Sequence, residues 1–454
     1  MLSKAGFKAY HQTNEPTDIA IINTCGFIGD AKEESINTIL EFCQAKKDGK
    51  LKELYVMGCL SERYREDLQS EIPEVDRFYG KFDWTSLVND LQPAASAAAP
   101  SSESPSSPGV SSAQNAASAP KAPSAQEGEA SASPARTTVA EAEAEANPAD
   151  SRQITTPRHY AYIKISEGCN RFCAFCAIPL ITGRHHSRPI EEIEQEVSEL
   201  VAEGVKEFNI IAQDLSSYGL DLYGKHELAQ LIDRLANIKG VERIRLHYAY
   251  PADFPMDILD VMARRKNVCK YLDIALQHIS DRVLTNMRRH ITGDETRQLL
   301  AEIRKRVPGI HIRTTLMVGF PGEEEQDFEE LMEFVKEQRF ERMGAFAYCE
   351  EEGTYGANNF EDNIPEEVKQ ERLNKLMALQ EEISLDIQQS KQGKILDVII
   401  DSEEDEYYIG RTEFDSPEVD PEVMVKKTIK LKPGDIISVK IEQALPFELI
   451  GSPA

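Results

Sequence analysis

Residues 167–179 read EGCNRFCAFCAIP, and the spacing of Cys169, Cys173 and Cys176 within them decides how the rest of the chain is read. Three thiols in a CxxxCxxC pattern on one loop can each ligate a different iron of a cubane cluster. The fourth iron is then left without a protein ligand, open to a substrate. A zinc site competes for the same residues. Structural zinc takes four ligands, usually as two close pairs; no second pair lies nearby, and His185 and His186 are the nearest candidates for a fourth ligand.

The loop follows an apolar run, YAYIKISEG, and from Tyr160 onward strand and helix signals alternate. YAYIKISEG, FNIIAQD, RIRLHYAYP, YLDIALQ, HIRTTLMVG and MGAFAYCEE read as strands. Between them IEEIEQEVSELVAEG, HELAQLIDRLANI, MDILDVMARR, DRVLTNMRR and EEEQDFEELMEFVKEQ read as helices, and IPEEVKQERLNKLMALQEEISLDIQQ follows as a long one. This order predicts an α/β fold with a (βα)6 open or partial barrel, whose chemistry belongs at the C-terminal ends of the strands.

Flanking the barrel are two smaller units. In the N-terminal one, DIAIINTCG and KELYVMGCL read as parallel strands joined by a helix, a βαβ unit that brings Cys25 and Cys59 to one edge. Cys43 follows Ile36 and Leu40 at helical spacing and reads as packed; Cys269 and Cys349 carry no partner signal and are likewise assigned to packing. In the C-terminal unit KILDVIID, EYYIGRT, TIKLK and DIISVKIEQ alternate with turn signals and predict a small OB-like β-barrel. Between about 91 and 152 the chain is Ala, Ser, Pro and Glu with little aliphatic content, and is expected to be a disordered linker. The expected domains are therefore 1–90, the linker 91–152, a core at 153–388 and a terminal barrel at 389–454.

Charge and composition bear on partners. The formal net charge is −27, and residues 388–454 carry fourteen acids against eight bases with few aromatics to stack on, so nucleic acid is not favoured and a basic protein partner suits better. Eight cysteines in 454 residues are too few for a disulfide scaffold. With no signal peptide and no apolar run long enough to span a bilayer, a cytoplasmic protein without membrane contact is expected. SRPIEEIEQEV reads as ordinary helix initiation, and Gly319, Pro321 and Gly322 as a turn before an acidic helix start rather than a phosphate loop. Glu350, Glu351 and Glu352 either face the substrate pocket or form a solvated run.

Cys169, Cys173, Phe175 and Cys176 together resemble the CxxxCxφC motif of radical S-adenosylmethionine enzymes. The resemblance implies that the three cysteines are catalytic ligands of a [4Fe–4S] cluster, that S-adenosylmethionine chelates its free iron, and that Phe175 lies near the adenine. Reductive cleavage then yields a 5′-deoxyadenosyl radical. NTCGFI, MGCL, the core and the terminal barrel are further similar to the methylthiotransferases, with their N-terminal methylthiotransferase domain and C-terminal TRAM domain. IAQDLSSYGLDLYG, RLHYAYP, RTTLMVGFPGE, YCEEEGTYG and GRTEFDSPEVD resemble the ribosomal-protein, RimO-like branch. That branch implies methylthiolation of the β-carbon of an aspartate in small-subunit ribosomal protein twelve, a basic substrate. One S-adenosylmethionine serves as methyl donor and another as radical source, and an electron donor and a sulfur donor are required. Breaking an unactivated C–H bond needs a radical, because no side-chain base in water removes that proton.

The family also implies a second, auxiliary [4Fe–4S] cluster on three cysteines. Cys25 and Cys59 match the second and third, while the first, with its strand and GCxKN-type motif, has no counterpart here; a wrongly chosen start codon or a shortened chain is the expected reason, and an in-frame stretch upstream of the Met1 codon would restore it. Two alternatives stand beside this reading: a tRNA adenosine methylthiotransferase of the MiaB-like branch, and a non-catalytic binding remnant without an auxiliary cluster. Iron analysis of anaerobically reconstituted protein separates one cluster, at about four irons per chain, from two, at about eight.

Overall fold

The computed structural model describes residues 17–26, 29–91 and 154–454, with Leu2, Phe7 and Tyr10. Apart from Leu91, which ends a helix, the linker expected at 91–152 lies outside the described residues. In the N-terminal unit the aliphatic runs pair as parallel strands β1 (Ile19–Thr24), β2 (Glu53–Gly58) and β3 (Arg77–Phe78), in that order across the sheet. The two-strand expectation is thus corrected to three; a two-residue strand bounded by charged residues carries no periodicity to detect. Helices Gly29–Lys47 and Cys59–Glu71 pack on it, and Ile39, Leu54, Val56, Leu60 and Phe78 form a core that includes Cys43.

The central unit is built on strand β4 (Tyr160–Lys164). A short antiparallel pair follows it, β5 (Ser166–Glu167) with β6 (His186–Ser187), pinching together the ends of the cysteine loop. Then come β7 (Glu207–Ile211), β8 (Arg243–Ala249), β9 (Val268–Ile274), β10 (His311–Val318) and β11 (Arg342–Ala347). The sheet runs β4-β7-β8-β9-β10-β11, parallel throughout, with β4 and β11 as its open edges. Alternation divides each strand. Ala161, Ile163, Phe208, Ile210, Ile244, Leu246, Leu272, Ile312 and Leu316 enter the main hydrophobic core with the helices, while Asn209, Arg245, His247, Asp273 and Arg313 take the opposite face, inside the barrel. The connection from β9 to β10 holds a second helix, Gly293–Arg306, besides Asp281–Asn286. It escapes sequence reading because GDETRQLLAEIRKR buries little beyond Leu300 and Ile303 and relies on a Thr292–Glu295 capping box.

At the C-terminus β12 (Ile395–Glu403), β13 (Tyr407–Thr412), β14 (Glu422–Lys426), β15 (Ile436–Ala444) and β16 (Glu448–Pro453) close a five-stranded barrel. TIKLK is not one of its strands. EVMVK is β14, with Val423 and Val425 buried, whereas TIKLK contributes Leu431, whose N–H donates to the Tyr408 hydroxyl at 3.1 Å from a loop.

The segment GRTEFDSPEVD, at and after the end of β13, passes beneath the N-terminal ends of the core strands. Glu207 accepts from Arg411 at 2.9 and 3.1 Å and from Arg245 at 3.1 Å; Arg342 pairs with Asp415; Asp420 accepts from Arg313 at 2.9 Å and from the Tyr271 hydroxyl at 2.8 Å. Burial alone would raise the Glu207 carboxyl, but Arg411, Arg245 and Arg243 hold it well below the ordinary range. Against the same burial, Arg342 and Lys391 do this for Asp415. Carboxylates with depressed pKa values contribute stability that is complete above the unfolded value and withdrawn as pH falls. Acid thermal melts should therefore show a loss beginning near pH 4.5, the ordinary value for Glu207. Glu207→Gln should cost about 3 kcal/mol at neutral pH by stripping a buried pair, and should lose stability less steeply on acidification. A mutant as acid-sensitive as the parent would contradict the assignment.

Candidate functional site

The cysteine loop leaves β5 through Gly168, whose φ is 75° and at which a Cβ would lie 2.1 Å from the Arg184 carbonyl oxygen. Only glycine fits there. Cys169 N–H donates to Gly183 O at 3.2 Å, Cys176 N–H to Cys173 O at 3.0 Å, and Ala174 N–H to Met287 O at 2.9 Å. Gly356 N–H in turn donates to Ala174 O at 2.6 Å, so the loop is tied to the segments after both β9 and β11.

The structure brings all three predicted thiols together. Burial pushes Cys169 up to about 11 and Cys176 up to about 12, and each also feels the charge of its neighbouring cysteines. Around them Arg171 N–H donates to Cys169 Sγ at 3.5 Å and Arg289 Nη1 to Cys173 Sγ at 3.2 Å, with the Tyr250 hydroxyl 3.8 Å from Cys173 Sγ. Phe175 is half-buried between the clusters of Met287, Phe320 and Tyr348 on one side and of Cys173, Tyr250 and Ala252 on the other. A patch of buried and half-buried thiols, with a backbone amide and one guanidinium donating to sulfur, suits a metal centre that takes thiolates. Among the described residues no three His, Cys, Asp or Glu side chains converge on a single ion; thiolates bound to three different irons stand farther apart than thiolates bound to one. His185 turns its Nε2 to Ser187 Oγ at 3.1 Å, and the His186 ring lies 3.6 Å from Asp221, so both candidates for a fourth zinc ligand are engaged elsewhere.

Beside the thiols the barrel mouth is polar. Buried Asp214 accepts from Arg171 Nε at 2.8 Å, Ser216 N–H at 2.9 Å and Ser217 Oγ at 2.6 Å. Both side-chain polar atoms of Asn209, and Oε1 of Gln213 and of Gln277, are buried without a partner. Orphaned polar atoms of this kind are what a bound polar ligand such as S-adenosylmethionine would satisfy.

The N-terminal unit sits over this mouth. Thr24 and Gly58 are in register, and Gly58, at φ 108°, would bring a Cβ within 2.5 Å of Thr24 O. The strands therefore end close together, with Cys25 exposed and Cys59 half-buried; Cys59 is raised by burial and feels Lys81, Cys25 and Glu167. Glu167 pairs with Lys81 and Lys164 and accepts from Gln213 Nε2 at 2.8 Å, so one carboxylate joins the Cys59 side to the Cys169 loop. Glu351 pairs with Arg63 and, at 2.8 Å, with Lys32. Of the three glutamates, Glu351 is a buried latch between units, while Glu350 and Glu352 are exposed. Cys269 is packed at 2% exposure, but Cys349 is exposed, which corrects its assignment to packing: the strand ends at Ala347, two residues before it, and Cys349 lies in the loop beyond.

Residues 163–335 match the Radical SAM superfamily, 393–453 the TRAM domain and 1–80 the uncharacterized protein family UPF0004. The ribosomal protein uS12 methylthiotransferase RimO of Phocaeicola vulgatus is 56% identical over 99% of this chain and 94% of its own length. That of Bacteroides fragilis is 54% identical over 99% and 93%, and that of Porphyromonas gingivalis 54% identical over 95% and 89%. The chain belongs to the RimO methylthiotransferase family. Among solved structures, the cobalamin-dependent S-adenosylmethionine radical enzyme OxsB aligns over 80% of this chain and 48% of its own at 12% identity and a TM-score of 0.45, too distant to bear on function.

Several residues around this RimO-family site had no sequence signal. Arg171, Tyr250, Gln277 and Arg289 sit in loops or at strand ends, where no period marks them; a polar residue in the middle of an otherwise apolar strand, on the inward register, would have been the clue for Asn209. In a Cys25→Ala, Cys59→Ala background, Gly168→Ala should collapse the loop entry and abolish loading of the core cluster after reconstitution, read from visible absorption and iron content. Normal loading in that variant would show the loop geometry to be dispensable.

Proposed function

We propose that this chain methylthiolates the β-carbon of an aspartate in ribosomal protein uS12, with Cys169, Cys173 and Cys176 holding the core [4Fe–4S] cluster and Cys25 and Cys59 contributing to the auxiliary one. One observation carries the reading: three thiols, Cys173 buried and Cys169 and Cys176 half-buried, share the first strand-to-helix loop of a parallel partial barrel, in a chain more than half identical to named uS12 methylthiotransferases. When bound, the core cluster supplies the electron that cleaves S-adenosylmethionine to a carbon radical.

The chain's own residues do the rest. Arg171 and Asp214 hold the loop, with Phe175 packed beside the adenine position. Asn209, Gln213 and Gln277 offer polar atoms to the bound S-adenosylmethionine. The buried mouth keeps water from the reacting carbon, and the N-terminal unit, latched through Glu167 and Glu351, keeps the second cysteine pair over it. The acidic terminal barrel suits a basic ribosomal protein better than a tRNA. A separate electron donor and sulfur donor complete the reaction, and the work is done in the cytoplasm, where ribosomal proteins are met. No helix among the described residues is long and apolar enough to cross a membrane.

Mass spectrometry of uS12 from a deletion strain tests this. The methylthio mark should vanish, return with the parent gene and stay absent with Cys173→Ala, while methylthio-adenosine in tRNA is unchanged. A mark that persists in the deletion strain would sink the proposal.

A further inference from the structure

Arg289 is buried against the thiol patch and has no carboxylate partner among the described residues. Arg171, beside it, is paired with Asp214 at 2.8 Å and with Asp253 at 3.2 Å. Arg289 is 3% exposed; its Nη1 donates to Cys173 Sγ at 3.2 Å, its Nη2 to the Ala275 carbonyl, and its Nε has no partner. The guanidinium lies 4.1 Å from the centre of the Tyr250 ring, which also carries Arg171 at 4.3 Å, and the Tyr250 hydroxyl donates to Arg289 O at 2.7 Å. The backbone is bent to put it there. Arg288 and His290, on either side, hold φ values of 56° and 55°, a left-handed conformation that costs energy for any residue but glycine.

A buried cation is expensive without a counter-charge, and no carboxylate among the described residues supplies one here. The missing anion is the cluster itself, since three thiolates outweigh the charge of the oxidised iron–sulfur core and one-electron reduction adds a further negative charge. A fixed positive charge and an N–H···S hydrogen bond on a ligand sulfur both favour the reduced form. We propose that Arg289 is a positioning residue for charge that raises the reduction potential of the core cluster through Cys173. This rests on the reading of Cys169, Cys173 and Cys176 as that cluster's ligands.

The test uses the full chain, reconstituted anaerobically in a Cys25→Ala, Cys59→Ala background so that only one cluster titrates. Its potential is followed by electron paramagnetic resonance without S-adenosylmethionine, with dithionite as reductant. Arg289→Gln should make reduction at least tenfold less favourable, a midpoint about 59 mV lower, and Arg289→Lys should shift it by less than half as much. An unchanged midpoint in Arg289→Gln overturns the inference. So does an unchanged midpoint with weakened S-adenosylmethionine binding in equilibrium dialysis, which would assign the charge to the ligand's carboxylate. If Arg289→Gln and Arg289→Met both fail to load a cluster while Arg289→Lys loads, the need for a counter-charge is upheld; failure of Arg289→Lys as well overturns charge as the cause. Cys173→Ala in the same background tests the underlying reading, since a cluster signal that survives it refutes the ligand assignment whatever Arg289 does.

Discussion

Six parallel strands give the core two chemically different ends, and the placement of every other part follows from that constraint. At the N-terminal ends the inward positions carry Glu207, Arg243, Arg245, Arg313 and Arg342, a floor of charge that could not stay buried alone. The end of β13 and the loop that follows it answer with Arg411, Asp415 and Asp420. At the C-terminal ends the strands open into loops, and the cysteine loop, Asp214 and Arg289 gather there. The terminal barrel therefore closes the end away from the thiol triplet, and the N-terminal unit covers the end that carries it.

The two ends also differ in how their charges are settled. Beneath the barrel nearly every buried ion has a protein partner, a pattern that specifies one docking arrangement more than it adds stability, because desolvation offsets much of the attraction. At the mouth the polar groups are left open: both amide atoms of Asn209, the Oε1 atoms of Gln213 and Gln277, and an arginine without a carboxylate stand around the three thiols. Such deficits are tolerated where a ligand will supply what is missing.

Sequence reading reached the architecture because the relevant signals are local. A (βα)6 core, a βαβ unit and a small terminal barrel all appear in runs of apolar residues with a clear period, and the thiol triplet lies within eight consecutive residues. What it passed over was non-periodic or long-range. The strand Arg77–Phe78 is too short to show alternation, and helix Gly293–Arg306 is held by its cap and two core contacts. TIKLK has the alternation of a strand, but EVMVK buries two valines against the barrel core and wins the place. GRTEFDSPEVD was visible as a family signature, yet its part as the charged plug of the barrel floor depends on partners such as Glu207 and Arg342 that lie far away in sequence. Glu351 and Arg289 were hidden for the same reason.

In the proposed reaction Cys169, Cys173 and Cys176 hold a cluster with one iron open to S-adenosylmethionine. Electron–nuclear double resonance on the reduced protein, with S-adenosylmethionine isotopically labelled in its amino and carboxylate groups, tests this at the atoms concerned. The account predicts hyperfine coupling from both groups to the cluster, lost in Cys176→Ala. A reduced cluster that shows no coupling to either label would contradict it.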